Sequence, residues 1–291
     1  MPTIEILGVK HTYELSPPTS SKPTLVFLHG WLLSRRYWQP LIERLSPHYQ
    51  CLCYDLRGFG DSQPDRDRPP HSHCRYTPAA YASDLAVLLE GLDIDRAWLV
   101  GHSLGGTIAL WGAHQLDGRF EGVVCVNAGG GIYLKEEFEK FRAAGTQIVK
   151  LRPRWLCRLP LLELLFVRAS VARPIERHWA RQRLVDFVTA HPQAALRALL
   201  DSTTETEVHQ LPQIVSRLQQ PVYFVAGAND SIMDPKYVRH LASFHHLFQH
   251  GGENVIEIPE CGHLAMVEQP DILADRLRAI LRDCYESSRV G

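Results

Sequence analysis

The segment Gly101-His102-Ser103-Leu104-Gly105-Gly106 combines a serine with glycines at a spacing that suits nucleophilic catalysis. It has the pattern Gly-x-Ser-x-Gly, follows an apolar run and opens a helical pattern, which is typical of a nucleophile elbow. The sharp turn from strand to helix lifts the serine into the cleft. It needs small residues two positions before and after the serine, because the backbones approach closely there. The start of the helix would then direct the amide of Leu104 toward a developing oxyanion. Ser103 is therefore the candidate nucleophile.

A serine hydroxyl is a weak nucleophile, so a base and an acid that orients the base are also required. His263 follows the last apolar run of the chain, and Asp230 follows the run before it. Asp234 lies further from the end of that run and is the alternative acid. The order serine, aspartate, histidine along the chain is the one expected with such an elbow. We predict a triad of Ser103, His263 and Asp230.

The turn His29-Gly30-Trp31 closes another apolar run. A tight turn at this place can direct the amide of Trp31 into the same cleft, with Leu32 as the alternative donor. Two such donors typically contribute about 10²–10³ in rate each. We predict that the amides of Trp31 and Leu104 form the oxyanion hole.

Short apolar runs alternate with helical patterns along most of the chain. Runs of this length that end at Gly, Pro, Asp or Asn are typical of strands buried on both faces. The runs span residues 24–28, 49–54, 97–100, 122–126, 222–226 and 254–258, and the helical patterns span 77–90, 104–114 and 271–284. The alternation predicts an α/β fold with a mostly parallel central sheet flanked by helices. In such sheets the reactive groups gather at the carboxyl ends of the strands.

Residues 132–205 interrupt this alternation. They contain no clear strand, several helical stretches and the prolines 153, 160, 174 and 192. We predict that they form a helical insertion, termed the cap, between a first part of the core at 1–131 and a second part at 206–291.

These features together resemble the α/β-hydrolase superfamily, in its capped, esterase-like branch. The resemblance covers nearly the whole chain. It depends on five segments in the expected order: His29-Gly30, the segment from Asp55 to Ser62, the elbow, the Asp230 loop and Gly262-His263. It implies the α/β-hydrolase fold, the triad and oxyanion hole given above, and a chemistry that needs no cofactor.

Two positions narrow the choice within that family. Haloalkane dehalogenases and epoxide hydrolases of this fold use aspartate at the elbow, so Ser103 argues against both. Some members carry the acid after the strand that follows the elbow, where this chain has Asn127, which supports Asp230. The sequence is similar to carboxylesterases, meta-cleavage-product hydrolases, haloperoxidase-like enzymes, menaquinone-pathway synthases and hydrolases that remove phytol from chlorophyll pigments.

The expected reaction is cleavage of a small-molecule carboxylic ester through an acyl-enzyme, with a lean toward a bulky, lipophilic ester. A menaquinone-type synthase or lyase, or a C–C bond hydrolase, could use the same triad. A non-catalytic receptor of the same fold is the third alternative. Trp155 and Leu162 of the cap are expected to affect the preferred acyl chain length.

Composition limits the partners and the location. The formal net charge of −1 gives no reason to expect a nucleic-acid partner. The start of the chain lacks a basic stretch followed by an apolar run, and no long apolar segment predicts a membrane span. Seven scattered cysteines favour free thiols in a reducing compartment, so the cytoplasm is the expected location. The oligomeric state is left open.

The cap is locally basic. Residues 150–183 contain nine arginines and lysines against Glu163 and Glu176, interleaved with leucines and Trp155. This composition fits peripheral contact with an anionic membrane surface or recognition of an acidic substrate. It also fits a helix with an apolar face on the core and solvated arginines.

The remaining polar clusters predict no site. His71-Ser72-His73-Cys74 has no second pair of ligands at a useful spacing, so no metal is expected there. His245 and His246 are expected on the surface, and Glu205 and Glu207 in solvent.

Overall fold

The computed structural model describes residues 1–19, 23–64, 75–129, 135–249, 251 and 254–290. Its strands are β1 (Thr3–Ile6), β2 (Val9–Leu15), β3 (Thr24–Leu28), β4 (Cys51–Tyr54), β5 (Ala97–His102), β6 (Phe120–Val126), β7 (Val222–Gly227) and β8 (Val255–Ile258). Its helices are α1 (Gln39–Leu45), α2 (Pro78–Gly91), α3 (Leu104–Gln115), α4 (Lys135–Lys150), α5 (Leu162–Arg168), α6 (Arg177–Thr189), α7 (Pro192–Ser202), α8 (Glu205–Arg217), α9 (Pro235–Ala242), α10 (His246–Gln249), α11 (Ala265–Glu268) and α12 (Pro270–Val290). Single 3₁₀ turns span Arg35–Trp38 and Arg154–Arg158.

One sheet contains all of these strands in the order β1-β2-β4-β3-β5-β6-β7-β8. Strands β3 to β8 pair in parallel, and β2 is antiparallel to both β1 and β4. The chain therefore moves outward in opposite directions from the centre, to β4 on one side of β3 and to β5 on the other. This is the kind of switch point beside which α/β proteins place their sites. The predicted fold class is confirmed.

The central strands are buried on both faces, which explains their continuous apolar sequences. In β3, Val26 and Leu28 face one apolar cluster, and Leu25 and Phe27 face another on the opposite side of the sheet. Every residue of β3 and of β5 is buried. The two helical layers cover these faces and hold the strand ends in fixed positions.

The antiparallel pair β1 and β2 is not predicted from apolar runs. Its sequences, TIEI and VKHTYEL, are mixed, and several of their residues are exposed. Only the tertiary structure shows that β2 pairs with β4, for example Tyr13 with Tyr54.

The helices predicted around the sheet are present. The hydroxyl of Thr77 accepts a hydrogen bond of 3.2 Å from the amide of Ala80 and caps α2. Helix α3 begins at Leu104, directly after the elbow, and α12 closes the described chain.

Between β6 and β7 the described residues form helices α4 to α8 and no strand. The division of the chain at 131 and 205 stays a prediction. In the described residues no helix is both long and apolar enough to cross a membrane.

Two predictions about polar residues are wrong. Glu207 is buried and accepts a hydrogen bond from Nε1 of Trp111, and burial raises its pKa to about 7. His245 is buried as well; burial lowers its pKa to about 4. Glu207 lies on α8 and His245 in the turn between α9 and α10, and packing direction cannot be read from the local sequence of either. The segment 71–74 lies outside the described residues.

Candidate active site

Ser103 occupies a strained turn between β5 and α3. Its backbone has φ 51° and ψ −118°, a conformation that a serine adopts only where the surroundings enforce it. A Cβ atom on Gly101 would lie 2.2 Å from the carbonyl oxygen of Gly105, and one on Gly105 would lie 2.2 Å from that of Leu28. The glycines of the elbow are therefore required by contact between backbones, as predicted.

Asp230 and His263 form a buried pair beyond the ends of β7 and β8. Nδ1 of His263 donates to Oδ2 of Asp230 at 2.7 Å, which leaves Nε2 of His263 as a proton acceptor. The other oxygen of Asp230 accepts from the amides of Ile232 and Met233, both at 2.9 Å. Burial alone would raise the pKa of Asp230, but the facing His263 and these donors hold the pKa below its ordinary value.

Asn127 holds the same carboxylate from the end of β6. Its Nδ2 donates to Oδ2 of Asp230 at 2.8 Å and to the carbonyl oxygen of Gly262 at 3.1 Å. Asn127 itself has φ 50°, a left-handed conformation that asparagine tolerates. The sequence placed Asn127 where some relatives carry the acid but did not predict that it would bind Asp230.

The backbone of His263 is fixed by two further groups. Nε2 of His102, the residue before the candidate nucleophile, donates to the carbonyl oxygen of His263 at 2.7 Å. The amide of His263 donates to the carbonyl oxygen of Ser170 at 2.9 Å. His102 is buried and burial holds its pKa well below the ordinary value, so it acts as a neutral donor. Its role is found only in the structure.

The candidate oxyanion donors flank Ser103. Within the described chain, the amides of Trp31 and Leu104 donate to no protein acceptor, and the amide of Leu32 is equally open. The turn that carries Trp31 is fixed by His29, which accepts from the amide of Leu56 at 2.9 Å and contacts the carbonyl oxygen of Gly30 at 2.8 Å. The arrangement fits an oxyanion hole, and the choice between Trp31 and Leu32 stays open.

The segment from Asp55 to Ser62 forms part of the scaffold. Asp55 is fully buried and accepts from the amides of Arg35 and Asp61 at 2.7 and 2.8 Å, as well as from the guanidinium of Arg35. Gly60 has φ 51°, and a Cβ atom there would lie 2.3 Å from Cγ of Asp55. These contacts tie the end of β4 to the 3₁₀ turn before α1.

Ser103, Leu104 and His263 line one cavity of about 360 Å³. Its other walls are mostly apolar, and they include Phe141, Ile148, Phe166, Phe187, Leu199 and Met233. Trp155 and Leu162 do not line it. The cavity is therefore shaped by α4, the end of α5, α6 and α7, and the expectation that Trp155 and Leu162 shape it is not supported.

Arg183 is the one arginine or lysine in the described wall of this cavity. Its Nη1 donates to the carbonyl oxygen of Leu32 at 3.0 Å, and its guanidinium lies 5.3 Å from the ring centroid of Phe166. Its Nε is buried without a hydrogen-bond partner, and no carboxylate among the described residues lies within 4.0 Å of it. Burial lowers the pKa of Arg183. In the sequence, Arg183 is only one of the nine basic residues of the segment 150–183.

Asp234, the alternative acid, has a different task. It caps α9 by accepting from the amide of Lys236 at 2.9 Å. Its side chain therefore stabilises a helix end while Asp230 binds His263. In the described part of the chain no three histidine, cysteine or acidic side chains are grouped as a metal site would require.

Comparison with known proteins identifies relatives of this chain. The family described as alpha/beta hydrolase fold matches residues 23–270. A non-heme chloroperoxidase of Streptomyces lividans is 30% identical over 224 residues, which cover 72% of this chain and 75% of the relative. A 2-succinyl-6-hydroxy-2,4-cyclohexadiene-1-carboxylate synthase of Enterobacter sp. strain 638 is 30% identical over 266 residues, which cover 89% and 92%.

A solved structure gives the same picture of the fold. The malate-bound thermophilic esterase from Thermogutta terrifontis superposes with a TM-score of 0.76 at 20% identity, covering 98% of this chain and 99% of that one. At this identity the likeness concerns the fold alone.

Proposed function

The chain belongs to the α/β-hydrolase fold family of enzymes, and from that premise we propose that it cleaves a carboxylic ester through an acyl-enzyme on Ser103. The observation that carries the proposal is the 2.7 Å hydrogen bond from Nδ1 of His263 to Asp230. His263 lines the same cavity as Ser103, which lies in its strained turn. This arrangement leaves Nε2 of His263 as the one ring nitrogen that can take the serine proton.

The reaction then follows from these positions. Nε2 of His263 accepts the proton of Ser103 as its Oγ attacks the ester carbonyl carbon. The amides of Leu104 and Trp31 stabilise the oxyanion, and His263 returns the proton to the leaving alcohol as the carbon–oxygen bond breaks. Water repeats the sequence on the acyl-enzyme, which releases the acid and restores Ser103. Asp230 holds the tautomer of His263 throughout.

The size and lining of the cavity support an apolar ester. A volume of about 360 Å³ with phenylalanine and leucine walls favours an acyl or alcohol group of moderate size that buries most of its surface.

A synthase that abstracts a carbon-bound proton is the second candidate. Two observations favour it: the name of the Enterobacter relative describes a carboxylate product, and Arg183 in the cavity wall has a buried Nε without a hydrogen-bond partner. In that reaction the Ser103–His263 pair would serve as a base and no acyl-enzyme would form.

Hydrolysis of p-nitrophenyl esters from acetate to palmitate tests the proposal. Ser103→Ala is expected to lower turnover by roughly 10⁴–10⁶ without unfolding the protein. Ser202→Ala is the matched control, because Ser202 lines the same cavity on α7 and has no place in the mechanism. Retention of more than about a tenth of the wild-type rate in Ser103→Ala would contradict the assignment.

Fluorophosphonate labelling, ester turnover and ligand binding together separate the hydrolase from the synthase and from the third alternative, a receptor. Covalent labelling at Ser103 together with ester turnover supports the hydrolase. Labelling without turnover of any ester favours the synthase, and tight ligand binding without turnover favours the receptor.

A further inference from the structure

The segment 148–168, termed the docking surface, exposes an unusual amount of apolar side chain. Seven of the twelve exposed large hydrophobic residues in the described chain lie in it. Leu151, Leu165 and Trp155 are 72%, 70% and 55% exposed. The other four are Ile148, Leu159, Leu161 and Leu164. Apolar side chains concentrated in this way mark a surface that is covered by a partner.

The same segment is positively charged. Lys150, Arg154, Arg158 and Arg168 are exposed, and none of them has a carboxylate within 4.0 Å among the described residues. Glu163 is the one acidic residue of the segment; it is buried and accepts from Nε of Arg177 at 2.9 Å. The exposed charge of the docking surface is therefore positive and uncompensated.

We propose that the docking surface binds an anionic phospholipid membrane. Leucines and a tryptophan can enter the boundary between headgroups and acyl chains while arginines contact the lipid phosphates. A second copy of the chain fits less well, because a two-fold contact would bring the same unpaired arginines of both copies together.

The docking surface is continuous with the candidate active site. Ile148 is 46% exposed and also lines the cavity of Ser103, as do the half-buried Phe166 of the same segment and Ala169, the residue that follows it. An ester dissolved in the bilayer could thus enter the cavity along apolar side chains without crossing water. This consequence for the substrate rests on the proposed function, whereas membrane binding itself does not.

Sedimentation with vesicles tests the binding. Wild-type protein is expected to bind phosphatidylcholine vesicles that contain about one third phosphatidylglycerol, and to bind pure phosphatidylcholine far less. The pair Arg154→Glu and Arg158→Glu should weaken binding by about tenfold or more, and so should Leu151→Ser with Leu165→Ser. Lys10→Glu and Ile272→Ser are the matched controls, because both residues are exposed outside the docking surface.

Trp155 provides a second measurement. Brominated lipids are expected to quench its fluorescence, and Trp155→Phe should abolish most of the quenching. Equal binding by wild type and the docking-surface variants would overturn the proposal. Absence of vesicle binding, with a wild-type dimer that the same variants dissociate, would assign the surface to a second copy and overturn it as well.

Activity distinguishes failure of the membrane proposal from failure of the proposed function. The docking-surface variants should hydrolyse dissolved p-nitrophenyl acetate like wild type and lose several-fold on 4-methylumbelliferyl palmitate carried in anionic vesicles. If the variants keep wild-type activity on both substrates, the delivery of substrate from the membrane is contradicted. If the wild-type protein binds vesicles but hydrolyses neither ester, the result supports the membrane proposal and contradicts the proposed esterase function.

Discussion

Oδ2 of Asp230 accepts two hydrogen bonds, at 2.7 Å from Nδ1 of His263 and at 2.8 Å from Nδ2 of Asn127. Asn127 also donates to the carbonyl oxygen of Gly262, the residue before His263. One amide group therefore fixes both the carboxylate and the loop that carries the histidine. It positions the pair from a neighbouring strand without touching the place where a substrate would bind.

Removal of this amide should impair turnover and leave substrate binding nearly unchanged. Asn127→Gly retains a residue that tolerates φ 50° and deletes the donor, so we expect kcat to fall by about tenfold to a hundredfold. KM should change little, because Asn127 does not line the cavity. Steady-state kinetics check this, with Asp234→Gly as a control that removes a helix cap but not a donor to Asp230. An equal loss in both variants would indicate a general effect on folding.

A carboxyl on α6 is expected to make the free energy of unfolding depend on pH. Asp186 is buried, accepts from Ser34 at 2.8 Å and from Gln182 at 2.8 Å, and burial raises its pKa to about 7. The unfolded chain loses the proton near its ordinary pKa while the folded chain keeps it, so the free energy of unfolding should fall as pH rises from about 4 to about 7.

Asp186→Asn should remove most of that dependence. Urea unfolding at pH 5 and pH 8 measures it: the variant is expected to gain stability relative to wild type at the higher pH, by about 1–3 kcal/mol. Asp117→Asn, at an exposed turn, is the control and should follow wild type. A parallel pH dependence in wild type and Asp186→Asn would show that Asp186 titrates normally.

The elbow should not tolerate a single added methyl group. In Gly105→Ala the new Cβ would lie 2.2 Å from the carbonyl oxygen of Leu28, so β3 and α3 must separate. We expect a loss of more than about 2 kcal/mol in stability together with loss of ester turnover. Gly118→Ala is the control: it has space around it, although its φ of 77° costs some strain. Thermal unfolding of both variants decides whether contact between backbones or glycine content is responsible.

Arg183 should affect either the oxyanion turn or the choice of substrate. Arg183→Gln deletes the charge beside Leu32 and Phe166, and we expect at least about a tenfold loss of kcat/KM on any substrate that carries a carboxylate. Comparison of a mono-ester of succinate with the matching butyrate ester measures the preference. If both esters lose equally, Arg183 acts through the carbonyl of Leu32 and not through a substrate charge.

Chain-length preference should follow the cavity wall. Leu199 is buried on α7 and lines the cavity, so Leu199→Ala is expected to shift the preferred p-nitrophenyl ester toward longer acyl chains. Trp155→Ala should leave the profile of dissolved esters unchanged, because Trp155 is exposed outside the cavity. A shift in Trp155→Ala alone would place the acyl group elsewhere.

The sequence by itself determined the six parallel strands of the sheet, the elbow and the three residues proposed as the triad. These features depend on local patterns: apolar runs closed by glycine predict buried parallel strands, and the glycines around Ser103 are required wherever backbones approach closely. The order of Ser103, Asp230 and His263 along the chain then restricts which strand ends can carry each group. A hairpin with mixed sequence, such as β1 and β2, carries no such pattern.

Only the tertiary structure decided what surrounds these residues. Asn127, His102 and Ser170 contact the Asp230–His263 pair from segments far apart in the chain, and nothing in their local sequence records that contact. The direction of the cap side chains is also a property of packing. It turned Arg183 toward the cavity and Trp155 toward solvent, although both lie in the same basic, leucine-rich segment. Local pattern fixes which residues can react, whereas long-range packing fixes what they meet.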